Sequence, residues 1–234
     1  MTIVRCDTAL DLEIEFENGY RRKAQYQAFK NGSVKCPYDK SVFNHGYLGE
    51  GKHKPSVNKK LTPEYKIWYN IIKRVYDHKI IKKYPTYKGC SICEEWHNFQ
   101  NFAEWYSKKF YSVHKEKMHI DKDILVKRNK IYSPNTCIFV PERINNLFIK
   151  CNANRGKYPI GVYFKKDIQK YMAITNDLNR KSKYLGYYNT PENAFLAYKE
   201  YKEKIIKEVA NEYKGLIPDL LYKTMINYKV EIED

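Results

Sequence analysis

The sequence predicts an α+β protein assembled from several small modules, and three features carry that expectation. Short runs of period-two alternation, such as Leu12, Ile14 and Phe16 among acidic neighbours, read as strands, and this one ends in the turn signal Asn18-Gly19. Segments with apolar residues three to four apart, opened by Thr62-Pro63-Glu64 and Thr190-Pro191-Glu192, read as helices with a hydroxyl cap and a proline in the first turn. The chain has 234 residues and a mass of 28.1 kDa, and segments this short point to modest separate cores rather than one large one.

In chain order, residues 11–20 form a strand entering a tight turn, and Gly46, Gly49 and Gly51 punctuate a loop that closes a small β-rich module at residue 55. Residues 56–86 are a basic connector. Its helix repeats Tyr65, Trp68, Tyr69, Ile72 and Tyr76; Trp68 and Ile72 face a core, and the opposite cations, Lys73 and Arg74 among them, are left to meet phosphate. Residues 93–106 read as one amphipathic helix with Trp96, Phe99, Phe102 and either Ala103 or Tyr106 on its apolar stripe, and His97 off it as a surface or cap-side histidine. Residues 118–148 give a strand with polar groups at its end, a loop rich in Lys, Arg and Asn, a second strand through Cys137 to Val140, and a helix opened by Pro141. Thr190-Pro191-Glu192 starts a helix whose buried stripe includes Ala194, Phe195, Ala197, Tyr198, Tyr201 and Ile205. Residues 216–234 form an accessory helix and an acidic end.

Composition excludes several classes. Hydrophobic residues at 43% and aromatics at 15% are more than a disordered chain carries, and no run approaches the ~20 apolar residues of a membrane span. The N-terminus has no apolar signal-peptide region, so an intracellular chain with no membrane partner is expected. Forty-three Lys and Arg against 27 Asp and Glu leave a formal charge of +16, which predicts a polyanionic partner, with nucleic acid first. Residues 52–86 alone hold 10 basic and 2 acidic groups, half of the excess, interleaved with Tyr65, Trp68, Tyr69, Tyr76 and Tyr84. The six cysteines include one CxxC pair, Cys90 and Cys93. A structural zinc would need two more ligands, from Cys137 with Cys151 or from a histidine, and buried thiols are the expectation instead.

The segment from 118 carries the chemistry. Along an extended strand His119, Asp121 and Asp123 point one way and Ile120, Lys122 and Ile124 the other, lining one surface with an imidazole and two carboxylates. Phosphodiester hydrolysis needs such a set, because a divalent ion offsets phosphate charge while a neutral base takes a proton from water. Asn135, and Asn145 or Asn146, complete the candidate site. The competing reading is the wet face of a half-buried strand.

YKGCSICEEWHNF, HIDKDIL and NKIYSPNTCIFVPERIN resemble the HNH homing-endonuclease-like proteins of bacteriophages, whose core is a ββα-metal finger. GVYFKKDIQKYMAI with KYLGYYNTPENAFLAYKEYKEKI is similar to the Apetala-type DNA-binding domain, a three-stranded sheet backed by one helix. The N-terminal ENGY…KCPYDKSVFNHGYLGEG resembles the leader of such proteins, and the three together cover most of residues 11–215. The resemblance implies modules at 1–55, 56–86, 87–152 for the HNH-like core, 153–215 for the Apetala-type domain, and a tail at 216–234. It implies a sequence-selective double-stranded DNA endonuclease working with Mg or Mn in the cytoplasm of a phage-infected host. Asp121, Asp123 and Asn145 would be metal ligands and His119 the base, with Asn135 at the central Asn. A host protein partner is a further possibility that it raises.

The chain departs from the family at one place. The usual first strand ends in Asp-His, and the matching register here holds Asp121-Lys122. A lysine with an ordinary pKa of about 10.4 does not accept a proton at neutral pH unless desolvation lowers it. Either His119 has taken over or hydrolysis is weak or lost, so the alternative is a non-cleaving DNA-binding or anti-defence protein on the same scaffold. In the Apetala-type domain the sheet face enters the major groove, which makes Tyr163, Lys165, Gln169 and Tyr171 candidates for base edges. Lys122, Arg128, Lys166, Lys170, Arg180, Lys181 and Lys183 are the cations for phosphates. Residues 155–183 carry eight basic groups, Arg155 and Lys157 included, against Asp167 and Asp177.

Overall fold

The computed structural model describes residues 1–149, 157–178 and 181–233. The chain opens with β1 (Thr2–Thr8), β2 (Asp11–Glu15) and β3 (Arg21–Ala24), then passes through the short helix α1 (Tyr26–Lys30) and the two-residue strands β4 (Ser56–Val57) and β5 (Lys60–Leu61) into α2 (Pro63–Tyr76) and α3 (His78–Lys83). After β6 (Ser91–Ile92) and α4 (Phe99–Lys109) come β7 (Met118–Asp121), β8 (Ile131–Tyr132), β9 (Ile138–Pro141) and α5 (Glu142–Leu147). Strands β10 (Val162–Lys165), β11 (Lys170–Asn176) and β12 (Ser182–Tyr188) precede the long α6 (Pro191–Glu212) and α7 (Asp219–Ile226). The protein is therefore mixed α and β, and it divides into two compact units, Met1–Lys108 with Lys130–Pro134, and Lys109–Asn129 with Asn135–Asp234.

In the first unit β1, β2 and β3 form an antiparallel sheet in which alternation buries Leu12 and Ile14. The β2–β3 turn closes at Gly19, whose φ of +80° suits glycine. Helix α2 begins at Pro63 as its sequence demands, but the Thr62 hydroxyl donates to the Lys54 and Pro55 carbonyls instead of capping the helix. Trp68, Ile71, Ile72 and Val75 form its buried face, and the Trp68 indole donates to the Trp96 carbonyl at 2.7 Å. The expected single helix over 93–106 is two elements: a 3-10 turn at Glu94–His97, then α4 from Phe99. The break rotates His97 inward. It is buried rather than on the surface, with Nε2 hydrogen-bonded to the Tyr76 hydroxyl at 2.7 Å and Nδ1 lying 3.3 Å from Glu94.

In the second unit α6 serves two cores. Ala194, Phe195 and Tyr198 pack beneath the antiparallel sheet β10-β11-β12, against Val162 and Ala173. Further along, Ile205, Ile206, Val209 and Ala210 pack with Val140, Ile144, Leu221 and Met225. The 22 residues of α6 span about 33 Å, enough to reach from the sheet to the β7–β9 hairpin. Thr190 caps it as its sequence suggests, its hydroxyl accepting from Asn193 N–H. No described helix is long and apolar enough to cross a membrane.

Candidate functional site

Strands β7 and β9 pair antiparallel, with His119 opposite Val140 and Asp121 opposite Ile138, and α5 follows at once. Residues directly opposite in such a pair project to the same side. Val140 is fully buried and Ile138 packs on the same core, so His119 and Asp121 share a half-buried face, not the open wet face that alternation alone suggests. His119 Nε2 is shielded from solvent and lies 3.8 Å from Glu142 Oε1, at the start of α5. Asn145 and Asn146 follow Glu142 by three and four positions, which puts them on its side of the helix.

Asp123 does not extend this row. Strand β7 ends at Asp121, whose Oδ1 accepts from the backbone N–H groups of Asp123 at 2.8 Å and Ile124 at 2.7 Å and bends the chain out of the strand. Burial first, and then the neighbouring Asp123 charge, push the Asp121 carboxyl up to about 6, while those two N–H groups pull the other way. Asp123 Oδ2 meets the Lys122 ammonium at 2.9 Å.

Lys122 is buried, which corrects its expected contact with phosphate. Its ammonium donates to Asp123 and to the Asn129 carbonyl at 2.9 Å, and the Asn129 side-chain amide returns a bond to the Lys122 carbonyl at 2.7 Å. Asn129 thus ties this loop; Asn135, expected at the central Asn of the site, is exposed in the turn before β9. Among the described residues no three or more His, Cys, Asp or Glu gather as a metal site. The expected donors fit a divalent ion only in part, because Asp123 already faces a lysine.

The second candidate is the sheet. Val162 and Ala173 are paired and buried under α6, so Tyr163 and its partner Met172 face outward, followed by Lys165 opposite Lys170. Because β10 and β11 join through a four-residue turn, odd positions on β10 share a face with even positions on β11. Tyr171 consequently lies on the inner side, opposite Phe164 and packed with Tyr158, which corrects its expected place beside Tyr163. Gln169 sits in the turn with φ +52°, its amide donating to the Lys166 carbonyl at 2.8 Å.

On β12 a bulge supplies what the sequence pattern hides. Ala173 pairs with Gly186 and Ile174 with Tyr184, so Leu185 is an extra residue turned to the core. Tyr184 and Tyr187 thereby share the outer face, with ring centroids 5.1 Å apart. Tyr163, Tyr184 and Tyr187 are 50%, 49% and 44% exposed. No residue of the three strands, all of them described, is acidic.

The remaining expected cations are scattered. Lys166 is exposed in the β10–β11 turn, Lys181 and Lys183 are exposed around the β11–β12 turn, and Arg180 lies outside the described residues, as do Arg155 and Cys151. Arg128 pairs with Glu231 at 3.4 Å and Glu233 at 3.6 Å. Lys73 and Arg74 belong to the first unit, where both are half-buried and Arg74 lies over the Tyr87 ring at 5.7 Å. Sequence reasoning missed Asn129, Glu142, Tyr184 and Tyr187 as site residues; only Glu142, next to a strand-ending proline, carried a local signal. Comparison with family models, with curated proteins and with solved structures found no match.

Proposed function

We propose that this protein binds nucleic acid through the outer face of the β10-β11-β12 sheet. The observation that carries the reading is that three exposed tyrosines and the Lys165–Lys170 pair share this face and no strand residue is acidic. Two ammonium groups directly opposite one another repel, and a phosphate chain relieves that repulsion. The test is a titration of fluorescent oligonucleotides at several salt concentrations. Affinity falling linearly on a log–log plot, with a shallower slope in Lys165→Ala, supports it; salt-independent or absent binding overturns it.

A second reading is that the same chain cuts double-stranded DNA as a sequence-selective endonuclease of the HNH type. It is favoured by the strand–strand–helix succession of β7, β9 and α5, with Asp121 at the end of the first strand and His119 two positions before it. The ion, Mg or Mn, would neutralise charge on the phosphate, and His119, with Glu142 3.8 Å from its Nε2, would take the proton from water. Incubating supercoiled DNA with Mg²⁺ or Mn²⁺ tests it. Nicking that disappears in Asp121→Ala supports the enzyme, while gel shifts without nicks leave a non-cleaving DNA-binding or anti-defence protein. The host cytoplasm and a host protein partner belong to this reading.

A further inference from the structure

We infer that the outer face of the β10-β11-β12 sheet is a stacking platform for unpaired bases, so that its ligand is single-stranded nucleic acid rather than the groove of a duplex. This rests on the nucleic-acid reading of the same face and names its substrate.

The side chains on the face decide between the two ligands. Reading a duplex through its major groove calls for side chains that match base edges in pairs of hydrogen bonds, as Arg, Asn and Gln do. Of these only Asn176 stands on the outer face, at the β11–β12 end and four positions along β11 from Met172; Gln169 spends its amide on the turn, and the central row is Tyr163, Met172 and Tyr187. A phenol offers one hydroxyl and a broad ring. Rings and a thioether make good contact with the flat face of a base, and that face is covered by its neighbours in a duplex and open in a single strand.

The layout suits a strand crossing the sheet. Tyr163 and Tyr187 stand on the two edge strands, two strand spacings apart, about 9.5 Å, with Met172 between them. Tyr184 lies beside Tyr187 because of the bulge at Leu185, which adds a third ring to the same face. Lys165 and Lys170 form the adjoining row at the β10–β11 end, with Lys166 in the turn beyond it; at the other end Lys181 lies in the turn, while Lys183, paired with Thr175, projects to the opposite side of the sheet. Rings occupy the centre and the Lys165–Lys170 row one end, the order expected when bases lie on the sheet and phosphates run past its margin.

The experiment measures anisotropy of labelled oligodeoxythymidylate and oligouridylate of about 12 nucleotides, and of a duplex of equal length, with the full chain at low salt. Tyr163→Ala, Tyr187→Ala and Tyr163→Phe are measured alongside, with circular dichroism to establish that each is folded. The inference expects one or both single strands to bind at least 10-fold more tightly than the duplex. Each alanine variant should lose about 10-fold on the single strand, while Tyr163→Phe, which keeps the ring, stays within about 2-fold of the parent. Preference for thymidylate or uridylate separates a DNA-type from an RNA-type strand, the two differing in both the sugar and the base methyl group. Equal or tighter duplex binding, or single-strand binding that the alanine variants leave unchanged, overturns the inference and leaves the nucleic-acid reading standing. No binding to any of the three probes overturns both.

Discussion

The Lys122 ammonium lies 2.9 Å from Asp123 Oδ2, inside a loop that Asn129 closes through bonds in both directions with the same lysine. The residue at the place where the resemblance puts a catalytic base is thus a buried cation with its protons committed to a carboxylate and a carbonyl. Lys122→Met should leave Asp123 and the Asn129 carbonyl without their donor. We expect a loss of about 1–2 kcal/mol in urea unfolding, the lower part of the range for a broken pair because Asp123 is half exposed. An unchanged midpoint would show that the loop does not depend on this pair.

The Asp121 carboxyl, pushed up to about 6, predicts a pH dependence. Its native value lies above the unfolded value of about 3.9, so the folded state holds this proton more tightly. Its contribution to stability is fully present below pH ~4 and is lost as the pH rises to ~6. Asp121→Asn keeps the oxygen that accepts the Asp123 and Ile124 N–H groups and abolishes the titration. The variant should therefore gain on the parent by on the order of 2–3 kcal/mol between pH 4 and pH 7. Thermal unfolding of both proteins across that range checks it, and parallel curves would contradict it.

At Gly186, φ is +136° and an added Cβ would come within 3.2 Å of the Tyr188 hydroxyl. Gly186→Val should cost about 1–3 kcal/mol and disturb the bulge that brings Tyr184 beside Tyr187. Loss of nucleic-acid affinity in a variant that still folds would accompany it; retention of both stability and affinity would show that the bulge does not set the face.

Lys165 and Lys170 oppose each other across β10 and β11. Lys170→Glu turns repulsion into attraction and should raise stability by about 0.2–1 kcal/mol while weakening nucleic-acid binding. Opposite signs in the two measurements distinguish a functional strain from an ordinary surface pair.

In the first unit, Tyr76→Phe removes the hydroxyl bonded to buried His97. A loss of about 1–3 kcal/mol in chemical unfolding is expected, since the imidazole nitrogen is left without that partner in a dry site. Tyr69→Phe, on the same helix, provides the comparison.

Helix starts and the strand–strand–helix succession were legible because they rest on neighbours in sequence: proline after a hydroxyl residue at 62–63 and 190–191, alternation at 12–14, an apolar run ending in Pro141. Strand β1 is not legible, because none of its residues is buried and its sequence alternates weakly. The place of His97 departs from a continuous helical period because residues 94–97 form a 3-10 turn. The face of Tyr171 is set by the length of the turn joining β10 and β11, which fixes the parity of the two strands.

The sequence by itself determined the mixed α and β class, the positive charge, the starts of α2 and α6 and part of the residues at both sites. Periodicity, capping and charge are local or additive properties, so one chain suffices to read them. Tertiary structure decided which of those residues face water. Asp121 lies opposite Ile138, which packs on a core that includes α6, more than sixty positions further along, and the tyrosine face depends on one bulge and one register. Such choices follow from the free energy of packing distant segments together, which no short stretch of chain contains.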